Sequence, residues 1–117
     1  MKLMTALGVL SINRNELKQL RFLNKEIYNY KTMLLSLENK EDMKILKLEI
    51  EKKLEMCFKE YRRLNNFIDS IDDSEMRLII SLRYINNLTW QQVAFHIGYS
   101  DESTPRKRFD RFLKKRG

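Results

Sequence analysis

The sequence predicts an all-α fold: a long, coiled-coil-like helical hairpin over residues 1–70, followed by a three-helix unit of helix-turn-helix type over 71–117. Three observations carry that expectation. Apolar residues step by threes and fours along the first part of the chain, the stretch TWQQVAFHIG has a helix start and a glycine stop, and Thr104-Pro105 opens a segment dense in Arg and Lys.

The first seam is Leu20, Leu23, Ile27, Tyr30, Leu34 and Leu37, and the second is Ile50, Leu54, Cys57, Tyr61, Leu64, Ile68 and Ile71. Both alternate steps of 3 and 4, the heptad pattern that keeps one side of a helix against a partner. Between them ENKED is fully polar, and continuing the first seam would put Glu41 and Lys44 in the core. The seams are out of phase. Two helices, roughly 13–37 and 43–70, folded back as an antiparallel hairpin account for this. One long helix pairing with a second copy is the alternative.

A third helix is expected over about 73–86, where Met76, Ile79, Ile80 and Tyr84, with Leu82 and Ile85 beside them, form a broad apolar face. Asp72 or Asp73 caps it, and acids in its first turn suit the helix dipole. Asn86-Asn87 ends it. Leu88 then precedes the next cap as a hydrophobic staple.

Thr89 with Gln92 has the form of a capping box, so the fourth helix starts at Trp90. Trp90, Val93, Ala94 and Ile97 make one apolar stripe, with Ala94 small enough for a second helix to cross closely. Gly98 supplies the left-handed stop. After a turn, Thr104 as cap and Pro105 in the first turn begin the last helix. Phe109, Phe112, Leu113 and Pro105 share its core side, and Thr104, Lys107, Arg111 and Lys114 lie opposite. Arg106, nearer the core edge, is expected to pair with Asp110. Residues 73–116 are expected to enclose a core of their own, built on Ile79, Ile80, Tyr84, Trp90, Val93, Ile97, Phe109 and Phe112.

Charge is sorted along the chain. The formal net charge is +7, yet residues 72–102 sum to −3 and residues 103–117 to +6. A cationic face on the last helix suggests a polyanionic partner.

Catalytic chemistry has few members to draw on. The three glycines, Gly8, Gly98 and Gly117, cannot build a phosphate-cradling loop. His96 is the only histidine and Cys57 the only cysteine, too few for a zinc site or a triad, and the sequence predicts neither enzyme activity nor a metal or cofactor. Cys57 sits in an apolar seam as a core residue and excludes an intramolecular disulfide, which fits a reducing cytosol. MKLMTALGVL lacks a small-x-small cleavage site, and no run approaches a membrane span, so a soluble intracellular protein is expected.

The stretch with LRY at Leu82 to Tyr84, LTWQQVA at Leu88 to Ala94, Ile97-Gly98, Arg106, Arg111 and Leu113-Lys114-Lys115 resembles region four of bacterial sigma factors. The whole chain, with its helical N-terminal half, resembles small phage-encoded proteins with a sigma-region-four-like C-terminus, including the ArpU- and RinA-type regulators of late phage genes. The turn after Gly98, YSDES, is one residue longer than the sigma-factor pattern. The resemblance implies control of phage or prophage transcription by binding double-stranded DNA in the bacterial host cytoplasm, beside host RNA polymerase. One such module binds only modestly, and a homodimer through the N-terminal helices would add a second half-site.

In that mode the last helix enters the major groove. Ser103, Thr104 and Lys107 are then the candidates for base contact. Arg108, Arg111, Lys114 and Lys115, with Thr89, Gln91 and Gln92 at the start of the preceding helix, are the candidates for phosphate. The alternative functions are a small-terminase-like DNA-packaging protein and a helical protein-interaction adaptor.

Overall fold

The computed structural model describes residues 12–116. Segment 1–11, for which the sequence predicts no signal peptide, lies outside the described residues. The fold is all-α: among the described residues there are helices and turns and no strand.

Helix α1 (Arg14–Ser36) begins with a capping box, Asn13 accepting from the Glu16 N–H at 2.9 Å and Glu16 from the Asn13 N–H at 3.3 Å. It ends at Leu37, and the polar segment predicted as a break turns the chain through a short 3-10 turn, Glu41–Met43, into α2 (Lys44–Asp69). The two helices lie antiparallel. Arg63 pairs with Glu16 near one end, the Cys57 thiol meets Glu26 at 3.7 Å, and Lys47 donates to the Glu38 carbonyl at 3.3 Å near the other. The chain therefore folds into the hairpin and not into one long helix.

Both seams face inward. Leu20, Leu23, Ile27 and Leu37 are buried on α1, as are Ile50, Cys57, Leu64 and Ile68 on α2 and Ile71 beyond it. Tyr30, Leu34, Leu54 and Tyr61 are half-buried at the same spacing. Cys57 is a core residue, and burial, followed by the nearby Glu26 carboxylate, raises its thiol pKa.

Helix α3 (Ser74–Ile80) is capped by Asp73, whose carboxylate accepts from the Glu75 and Met76 N–H groups. It widens into a π-helical turn over Ser81–Ile85, with Asn86 N–H reaching the Ser81 carbonyl at 2.9 Å. Asn87 then takes a left-handed φ of 58°, a conformation that its short polar side chain tolerates. Helix α4 (Trp90–Ile97) has both halves of the predicted capping box, 2.9 Å from Thr89 N–H to Gln92 Oε1 and 3.2 Å from Gln92 N–H to Thr89 Oγ1. Gly98 closes it at φ 103°.

Helix α5 (Ser103–Arg116) starts one residue before the expected Thr104 cap. The reason is Asp101, which accepts from the Ser103 N–H at 3.0 Å and its hydroxyl at 2.7 Å, placing a carboxylate at the positive end of the helix. Pro105 remains in the first turn, where no N–H is missed, and is fully buried.

The expectation of a separate core for the last three helices is corrected. One apolar cluster takes in Ile12, Leu17, Leu20, Leu23 and Ile27 of the N-terminal half together with Phe67, Ile79, Ile80, Tyr84, Val93 and Phe109. The periodicity of α1 and α2 describes one packing face, but their lower halves carry a second. Phe67, off the seam, is fully buried and stands 6.4 Å from the Phe112 ring. Among the described residues no helix is long and apolar enough to cross a membrane.

Candidate nucleic-acid interface

Phe109 fixes the attitude of α5. It is fully buried, with the Tyr84 ring at 5.5 Å and the Trp90 ring at 5.7 Å, so residues from the π-turn and α4 both close on it. The Arg14 guanidinium covers it at 5.2 Å. Burying a phenylalanine is worth about 1.5–3 kcal/mol. With Phe109 inward, 3.6-residue periodicity turns Lys107, Arg111 and Lys114 outward. All three are exposed, as is Lys115.

The expected Arg106 to Asp110 pair does not form. Asp110 is bound by Arg14, which the hairpin brings alongside, and Arg106 is exposed. A basic residue before an acid at i,i+4 is the weaker orientation, so a cation from another element displaces it.

The candidate base-contact residues sit at the exposed start of α5. Lys107 is exposed, whereas Ser103 and Thr104 are half-buried. The Ser103 hydroxyl donates to Asp101, whose carboxyl is held below its ordinary range chiefly by the Ser103 backbone N–H and then by that hydroxyl.

Of the candidate phosphate residues, Thr89, Gln91 and Gln92 are exposed at the start of α4. The capping box occupies the Thr89 oxygen and the Gln92 carbonyl as acceptors, leaving the hydroxyl and amide hydrogens as outward donors. Arg111, Lys114 and Lys115 are exposed cations.

Arg108 is differently placed. It is half-buried, 3.3 Å from Glu75 and 3.7 Å from Asp73, and it donates to the Tyr99 hydroxyl at 3.5 Å. Tyr99 in turn donates to Glu75 at 2.7 Å, and that hydrogen bond is the main reason its pKa is raised. The acids at the start of α3 thus hold the turn and α5 together.

Residues 31–116 match the model of a family described as a protein of unknown function, DUF722. The chain belongs to that family. In this DUF722 member the match begins at Lys31 within α1 and takes in the last turns of that helix, all of α2, α3 with its π-turn, α4 and α5. No curated protein and no solved structure matches the chain.

Sequence reasoning missed the contribution of α1 to this end of the molecule. Arg14 reaches α5, and Arg21 donates to Asn87 Oδ1 at 3.0 Å. A signal for it existed. Arg14, Lys18, Arg21 and Lys25 recur at steps of 4, 3 and 4, a cationic stripe of the same helical period beside the apolar seam.

Proposed function

We propose that this protein binds double-stranded DNA sequence-specifically through α4 and α5 and regulates phage or prophage gene transcription. The observation that carries the reading is α5 itself: one side locked into the core by Pro105 and Phe109, the other presenting Lys107, Arg111, Lys114 and Lys115 to solvent. A capped helix followed by a left-handed glycine and a cationic helix suits major-groove entry. The likeness to sigma region four supports a role beside host RNA polymerase. The same reading takes a second copy as partner through the outer half of the hairpin, where Tyr28, Leu35, Ile45 and Met56 are exposed.

The test is fluorescence anisotropy on duplexes selected from a random pool. With about four to six phosphate contacts, log K falls against log salt with a slope of about −4 to −5. Lys107→Ala relaxes sequence preference, while Lys115→Ala weakens selected and random duplexes alike. Binding no better than that of a charge-matched peptide would reject the proposal.

A further inference from the structure

A second cationic feature lies beside the helix-turn-helix, on residues that the recognition surface does not use. Lys18 and Arg21 of α1 and Arg83, Tyr84 and Asn87 of the π-turn and its exit wall a cleft of about 270 Å³. None of these lining residues is acidic, and among the described residues no carboxylate pairs with Lys18, Arg21 or Arg83. Three cations therefore converge uncompensated.

Their hydrogen-bonding state points the same way. Arg21 already donates to Asn87 Oδ1, which takes up the one side-chain acceptor of Asn87 and leaves its amide hydrogens free to donate. Arg83 is steered by its bond to the Leu88 carbonyl at 2.8 Å and by the Tyr84 and Trp90 rings at 5.9 and 5.3 Å, and its Nε is buried with no hydrogen-bond partner. The cleft offers donors and almost no acceptors. Such a site takes an oxyanion.

We infer that this cleft holds a backbone phosphate of the bound duplex, extending the protein–DNA contact from α5 across the start of α4 onto α1. The inference rests on the DNA-binding reading above. Asn87 is two residues before Thr89, at most about 7 Å along the chain, and Thr89 begins the helix whose exposed start already faces the candidate phosphate track. One strand places a phosphate about every 3.4 Å of axis. The cleft thus meets the next phosphate or two beyond those at α4, and Lys25 continues the cationic row outward on α1.

The experiment compares Lys18→Gln/Arg21→Gln with Lys52→Gln/Lys53→Gln, which removes the same charge from exposed positions farther up the hairpin. Circular dichroism confirms folding, and Arg21→Lys, which keeps the cation, serves as a second variant. Loss of one phosphate contact weakens binding about tenfold, equally on selected and random duplexes, and makes the salt slope shallower by about 1. The control pair and Arg21→Lys leave the slope unchanged. A wild type that binds DNA while the cleft pair matches the control in affinity and slope overturns the cleft alone. A wild type that binds no duplex overturns the DNA reading and this site with it.

Discussion

Arg14, the first residue of α1, holds Asp110 of α5 across 96 positions of chain while its guanidinium covers Phe109. The contact ties the start of the hairpin to the middle of α5. Both side chains are about two-fifths exposed, at 41% and 44%, so solvent screening limits the ion pair to at most about 1 kcal/mol. The ring contact adds about 0.5–1 kcal/mol. Arg14→Ala should therefore destabilise the chain by about 1 kcal/mol in urea unfolding. Asp110→Ala should cost less, because it spares the ring contact, and a coupling energy of zero in the double-mutant cycle would dismiss the pair.

Phe109→Ala should be far more damaging. Removing a buried phenylalanine costs about 3–5 kcal/mol, a large part of the total stability of a small domain, about 5–15 kcal/mol. Because Trp90 is the only tryptophan and packs on Phe109, its emission should shift to the red as its cover is lost. Phe109→Leu should keep most of the fold. Unchanged Trp90 emission in the alanine variant would contradict the central role of this ring.

Gly98 gives a test of backbone conformation free of packing. A Cβ at this position would meet nothing within 4 Å, yet φ is +103°. Gly98→Ala should cost about 1–2 kcal/mol from backbone strain alone, with Gly98→Asn milder. Thermal melts of the two variants read the difference. Equal tolerance of both would mean that the turn after α4 relaxes.

Asp101 makes the start of α5 sensitive to acid. Its carboxyl is held below the ordinary value of 3.8 first by the Ser103 N–H, then by the Ser103 hydroxyl, with Lys107 and Arg106 adding to the effect. For a group lowered by folding, the stabilisation is fully present above the unfolded pKa and disappears as pH falls through the folded one. Wild type should exceed Asp101→Asn in stability by a constant amount from about pH 5 upward, and the gap should close on acidification below the unfolded value. A gap that widens toward low pH would refute the assignment.

The elements legible in the sequence were those written in local patterns. The two seams, the polar break at ENKED, the capping box of Thr89 and Gln92 and the stop at Gly98 each depend on residues a few positions apart, and each stands where its spacing put it. What escaped was non-local. Phe67 looks like a flank of the second seam until α5 brings Phe112 against it. Arg108 reads as one more cation of a basic helix, but Asp73 and Glu75 lie more than thirty positions earlier and meet it only in the folded chain. Thr104 has the residue type of a cap, yet the carboxylate of Asp101 is the better acceptor at a helix start. The candidate interface was legible as a set of exposed cations at helical spacing, and the part contributed by α1 was hidden because its stripe has meaning only beside Arg83 and Asn87.

The continuous core makes the hairpin a ruler. Leu17, Leu20 and Leu23 belong to the same packed cluster as Phe109, while the outer half of α1 and α2 extends a molecule 56 Å long beyond it. Close-packed interiors pass displacement on and do not absorb it. On the proposed DNA-binding reading, a partner that grips the outer end of the hairpin would therefore also set the direction in which Lys107 points, and the length of α1 and α2 would fix how far from that grip the contacted base pair lies.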